Sequence, residues 1–141
     1  MSGGLDSVLR LRQMALDEAK RELAECVQAV TEASERTKTA TSAIHRERAA
    51  AEALEAPDAA VEAFAAWLPR GLRAVDAARE AEARGEAALT QARVRVTNAR
   101  SAVEAIETVL QTREEARLAG ERRAEQAELD EVAQRRRPAS S

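Results

Sequence analysis

Apolar positions recur every seven residues in two long stretches, separated by a short segment that carries prolines and aromatics. In the first stretch one ladder runs Leu9, Leu16, Leu23, Val30, Thr37, Ile44, Ala51. A companion ladder three residues on reads Arg12, Ala19, Cys26, Ala33, Ala40, Glu47, Leu54, with Leu5 ahead of it. A repeat of seven keeps one seam of a helix turned toward a partner helix. The first ladder is bulky and the second mostly small, a combination that suits closely spaced helices. In the second stretch the ladder is Val75, Glu82, Leu89, Val96, Val103, Leu110. Its companion is Ala78, Gly85, Ala92, Ala99, Ile106, with Leu72 holding that ladder's place nearest the break. Past Leu110 the phase slips through Leu118, Leu129 and Val132, a stutter that changes the local supercoil.

The break itself, Ala56 to Gly71, holds the single Phe, the single Trp and two of the three prolines. Proline inside a helix removes a hydrogen bond and crowds the preceding turn, at a cost of about 3 kcal/mol. One reversal point is therefore expected here. Asp58 would open a short helical piece from Ala59 to Leu68, where a carboxylate meets the positive end of the helix dipole. Pro69 would kink that piece or open the next helix, and Gly71 would loosen the joint. The expected fold class is all-α: a long antiparallel two-helix coiled-coil hairpin with a short helical crown. As a single domain it divides into a first arm over 5–55, a crown over 56–71, a second arm over 72–135 and a disordered tail over 136–141. Asp6 or Ser7 would cap the first arm. Folding about the crown's centre sets Thr37, Thr39, Thr41 and Ser42, weak helix formers, opposite Gly85, and a flexible joint is expected there.

Composition narrows the picture. Apolar residues make up 45% of the chain but aromatics only 1%, and alanine supplies most of the apolar share. Too few bulky side chains remain for a multilayered core, so long helices are favoured. The net charge of −3 is mixed along the chain and calls for neither nucleic acid nor an anionic membrane. No apolar run approaches the roughly 20 residues of a membrane span, and the start lacks the pattern of a signal peptide. A lone Cys26 excludes an intrachain disulfide. The expected location is cytoplasmic.

Candidate chemistry is sparse. Gly3-Gly4 lacks the lysine and hydroxyl of a phosphate-binding loop. Cys26 and His45 stand 19 residues apart on different faces, which does not suit a zinc site or a Cys/His nucleophile. Carboxylates alternate with arginines at helical spacing, as solvated pairs do. No catalytic residue, cofactor or metal ligand is expected. Three features could serve recognition instead. Leu11 and Met14 lie beside the first seam and meet either the returning arm or a third party. Phe64, Trp67 and Leu68, at i, i+3 and i+4, either seal the hairpin or face a partner. Arg135, Arg136 and Arg137 either complement the negative end of a helix or bind an acidic surface or nucleic acid, the first being favoured.

The run Glu128-Leu129-Asp130-Glu131-Val132-Ala133-Gln134-Arg135-Arg136-Arg137 resembles the Asp-Glu-x-Ala-x-Arg ending of FliJ-type flagellar export proteins. The opening Leu5-Asp6-Ser7-Val8-Leu9-Arg10-Leu11-Arg12, leading to Leu16-Asp17-Glu18-Ala19, is similar to their amphipathic start. The injectisome stalk proteins of the YscO type share the layout. A structural homodimeric coiled coil is the reading of another class. The resemblance implies a non-catalytic stalk or chaperone-like component of the type III export apparatus, coupling the export ATPase ring to the export-gate membrane protein and associating with escort chaperones. It implies a place at the cytoplasmic face of the inner membrane, with membrane association only indirect. It implies ring contacts at Leu11, Met14, Leu129, Asp130, Glu131 and Arg135. The stripe just past the crown, Leu68, Leu72, Val75 and Arg79, would touch the gate, with Phe64 and Trp67 as further partner contacts.

Overall fold

The structure, a computed structural model, describes residues 3–137. They form two helices and, among the described residues, no strand: α1 spans Gly3–Glu52 and α2 spans Asp58–Arg136. The all-α hairpin expected from the heptads is present. Two units are distinguished along it, Leu16–Asn98 and Met1–Ala15 with Ala99–Ser141.

In the Leu16–Asn98 unit the two helices run antiparallel, and one close approach fixes their register. Val30 packs on Gly85, where a β-carbon would sit 3.4 Å from its Cγ2. The salt bridge Arg95–Glu22, at 3.2 Å, crosses at a neighbouring level. Heptad steps from Val30 and Gly85 set Leu23 against Ala92 and Thr37 against Ala78. The bulky ladder of α1 thus faces a small ladder of α2. Conversely, Ala19, Cys26, Ala33 and Ala40 are matched to Val96, Leu89, Glu82 and Val75. Burial follows this scheme: Ala19, Ala33, Ile44, Ala51, Val75, Ala92 and Val96 are all buried. Small residues let the backbones approach, and bulky ones opposite fill the space that results. Glu82 is half-buried at its place on the seam.

The small ladder of α2 begins at Gly71, not at Leu72. Gly71 is buried and in heptad phase with Ala78, Gly85 and Ala92, whereas Leu72 is 50% exposed. A leucine is the more apolar of the two, but phase decides which residue meets α1. Arg12, Glu47 and Leu54, members of the expected first-arm companion ladder, are exposed.

The reversal is shorter than the expected crown. α1 ends at Glu52, and the chain turns through Ala53 to Pro57. Ala56 N–H donates to the Ala53 carbonyl at 3.0 Å, and Ala60 N–H donates to the Pro57 carbonyl at 2.8 Å. Pro57 disfavours helical backbone at Ala56 and pre-sets the entry to α2. Leu54, 105% exposed, lies in this turn. No separate crown helix exists, because α2 runs through Pro69 and Gly71 without interruption. Pro69 removes one N–H from the ladder, and Ala65, whose carbonyl loses that donor, is exposed so that water can replace it. Leu68, Gly71 and Val75 hold the helix on its seam across the proline.

The shorter turn also shifts the register. Gly85 stands beside Val30 rather than beside the cluster of hydroxyl residues at Thr37, Thr39, Thr41 and Ser42. The two weak points expected to coincide as a joint fall at different levels. The Thr37 hydroxyl donates to the Ala33 carbonyl at 3.1 Å and is satisfied within α1.

In the other unit, Val103 is buried and Leu5, Leu9, Ala99, Ile106 and Leu110 are half-buried. Neither expected cap operates at the start of α1. The Ser7 hydroxyl donates to the Gly3 carbonyl at 3.1 Å, and α1 already begins at Gly3. From Glu121 to Arg137 every residue is exposed. Arg136 still belongs to α2, so the tail expected over 136–141 is helical at its first residue; residues 138–141 lie outside the described residues.

Candidate functional site

Two surfaces carry the residues that the sequence singles out. The first lies where α1 ends and α2 begins. Phe64 and Trp67 stand one helical turn apart, with ring centroids 6.3 Å apart and planes tilted by 32°. The Arg48 guanidinium from α1 sits 5.9 Å from the centre of the Phe64 ring, within the range of a cation–π contact. Glu47, Ala50 and Ala51 of α1 and Ala60, Ala63, Phe64 and Trp67 of α2 line a shallow groove of about 300 Å³. Both aromatics are half-buried.

The outer atoms of the Trp67 ring lie over Gly71, one turn further along the same helix. A β-carbon at Gly71 would come within 2.6 Å of the ring's Cη2 and 2.8 Å of its Cζ3. Gly71 is therefore the seat of the tryptophan and not a loose joint. Sequence reasoning missed this pair. The signal was available: a glycine four residues after the only tryptophan shares its face of a helix. Arg48 was missed because its partner ring lies 16 residues away across the turn.

The stripe past the turn divides. Val75 is 5% exposed and Leu68 half-buried, so both belong to the seam with α1. Leu72 and Arg79 lie at its edge and are exposed. As a surface open to a partner, the expected stripe reduces to Leu72 and Arg79, with Val61 exposed further toward the turn. The reason is again phase: the four lie within roughly 60° of arc, and the seam with α1 runs along the Gly71 and Val75 side, leaving Leu72 and Arg79 at its exposed edge.

The second surface is the last part of α2. Leu129, 64% exposed, and Val132 form a shallow apolar strip edged by Glu125 and Glu128. Asp130 accepts a hydrogen bond from the Gln126 amide at 2.9 Å. Glu131 pairs with Arg135 at 2.9 Å. Leu11 and Met14, on α1, are 64% and 60% exposed. Every residue from Leu129 to Arg135 is exposed as well. Upstream on α2, Arg117 chelates Glu114 through Nε at 3.1 Å and Nη2 at 2.6 Å, and also donates to Glu121. The hydrogen bond from Arg117 holds the Glu114 carboxyl below its ordinary value, and Glu114 together with Glu121 pushes the guanidinium up. These groups are solvated, so the network orders a stretch of surface and adds little to stability.

His45 is exposed and Cys26 half-buried in the α1 seam. Among the described residues, no group of three or more His, Cys, Asp or Glu side chains could hold a metal ion. No described helix is long and apolar enough to cross a membrane.

Together the fold and these surfaces define a class: a helical hairpin whose informative residues lie on exposed helix faces and not in a pocket. The sequence profile described as "Flagellar FliJ protein" matches residues 1–138, and the chain belongs to that family. Membership makes it a component of the flagellar export apparatus, in a family that is non-catalytic. Searches among curated proteins and among solved structures each returned no match.

Proposed function

We propose that this chain is a stalk and chaperone-like component that couples the export ATPase ring to the export gate and associates with escort chaperones, at the cytoplasmic face of the inner membrane. The observation that carries this reading is the inequality of the helices. α2 has 79 residues to α1's 50, and from Glu121 to Arg137 it is exposed throughout. A solitary helix with an apolar strip at Leu129 and Val132 and ordered charges at Asp130, Glu131 and Arg135 is suited to insertion into a larger partner. Leu11 and Met14 supply exposed apolar area on α1 for the same ring. Leu72 and Arg79 are the residues best placed for the gate. Phe64 and Trp67 shape the turn between the helices, and Leu68 and Val75 hold the seam behind that surface.

The test is a pull-down of the cognate export ATPase and, separately, of the gate protein's soluble part. Leu129→Ser with Val132→Ser should abolish capture of the ATPase while leaving gate capture intact. Leu72→Ser with Arg79→Glu should do the reverse. Capture of the ATPase by the first variant at the wild-type level would overturn the assignment of α2's end.

A further inference from the structure

The exposed part of α2 contains a second pattern that the heptads do not explain. Leu118, Arg122, Glu125 and Leu129 are separated by four, three and four residues. On a helix of about 3.6 residues per turn they fall on one face, within roughly 60° of arc. Leu118 is half-buried, and the other three are exposed. The spacing reads the same from either end, while the two charges exchange sign.

We propose that this face pairs antiparallel with the same face of a second copy of the chain. A two-fold axis between Arg123 and Ala124 sets Leu118 against Leu129 of the second copy. It sets Arg122 against Glu125 of the second copy, and each contact occurs twice. Self-complementarity of this kind is what a two-fold interface requires. Antiparallel order is selected by charge: a parallel pair would set Arg122 on Arg122 and Glu125 on Glu125. Val132 extends the apolar face by one turn, against the aliphatic stem of Glu115 of the second copy.

The local hydrogen bonds support the choice of face. Glu114, Arg117 and Glu121 are engaged with one another, as are Gln126 with Asp130 and Glu131 with Arg135. Among the described residues Arg122 and Glu125 form no ion pair within the helix. Arg122 and Glu125, at the centre of the proposed face, are left for a partner. Pairing would cover Leu129, so it would compete with capture by the ATPase ring. That consequence alone rests on the function proposed above; the pairing does not.

The test is sedimentation equilibrium of the full chain at low salt over a wide concentration series. The wild type is expected to pass from monomer to dimer. Arg122→Glu and Glu125→Arg should each weaken the dimer by about tenfold or more, because each sets like charges together in two places. An equimolar mixture of the two variants should dimerise like the wild type, and so should a chain carrying both changes, since opposite charges face one another again. Circular dichroism checks that each variant keeps its helix. A wild type that stays monomeric throughout, single changes that leave the dissociation constant unmoved, or a mixture without rescue would each overturn the pairing. Arg122 does not edge the Leu129–Val132 strip, so an ATPase pull-down with Arg122→Glu below the dimerising concentration reports on the ring assignment separately.

Discussion

The two parts of α2, before and after about residue 120, obey different rules although they belong to one helix. Within Leu16–Asn98 the identity of a residue is set by how much room its partner leaves. Alanine and glycine are as specific there as leucine, because Ala92 is 0% exposed and Gly85 carries Val30 on its open face. From Glu121 to Arg137 no side chain is buried. Alanines there act only through helix propensity, and specificity lies in the order of charges and a few leucines. The same alanine-rich composition encodes close packing in one region and an open surface in the other. What separates them is the presence of a second helix at the right phase.

The sharpest way to break the comparison is to make one exchange in both regions. Ala92→Leu should destabilise the hairpin by about 3 kcal/mol, since a fully buried small position has no room for an isobutyl group. Ala127→Leu, the same exchange on the exposed part, should change stability by less than about 0.5 kcal/mol. Urea unfolding followed by circular dichroism measures both; equal effects would mean that the seam is not packed as described.

Two glycines sharpen the rule further, because they should respond with opposite sign. Gly71→Ala drives a β-carbon into the Trp67 ring and should cost about 1–2 kcal/mol after the gain in helix propensity, with a shift in tryptophan fluorescence as the ring leaves its seat. Gly85→Ala meets Val30 at an ordinary contact distance and should stabilise by about 1 kcal/mol. A destabilised Gly85→Ala chain would show that the helices at that level tolerate no added methyl.

The smallest expected effect is a pH dependence confined to the surface network around Arg117. Glu114 has its folded value lowered, so its contribution is fully present above the unfolded value of about 4.3 and is lost as the pH falls through the lower, folded one. Protection factors of the amides at residues 114–121, corrected for the intrinsic pH dependence of exchange, should therefore fall on acidification, and Arg117→Gln should remove that dependence. Loss of protection by the Leu16–Asn98 seam over the same range would contradict the assignment of the effect to the surface.

Much of this was legible beforehand. The first ladder from Leu9 to Ala51, the seam from Val75 through Val103, and the small positions Ala19, Cys26, Ala33 and Ala40 all fall where the repeat of seven places them. The terminal run Glu128 to Arg137 and the opening stretch pointed to the family that the whole-chain match confirms. The errors cluster at the turn. The two prolines suggest the bounds of one reversal, but only Pro57 lies in the turn, at the entry to α2. Pro69 is tolerated because the seam on either side outweighs one missing hydrogen bond to an exposed carbonyl. That mistake moved the fold axis by several residues, and with it the partner assigned to Gly85 and the status of Leu72.

The amino-acid sequence by itself determined that this chain makes two long helices, that each has one apolar seam, and that the chain reverses once at or beside the proline-bearing stretch Ala56 to Gly71. Periodicity is a local property, and it survives any choice of partner. Only the tertiary structure decided the register, because register depends on which residues stand opposite one another across the turn, and a shift of a few residues changes every pair. It also decided that Gly71 seats a tryptophan, that Val75 is buried while Leu72 is left at the exposed edge of the seam, and that Glu121 to Arg137 are left uncovered. Those outcomes follow from van der Waals fit between two surfaces, which neither helix carries alone.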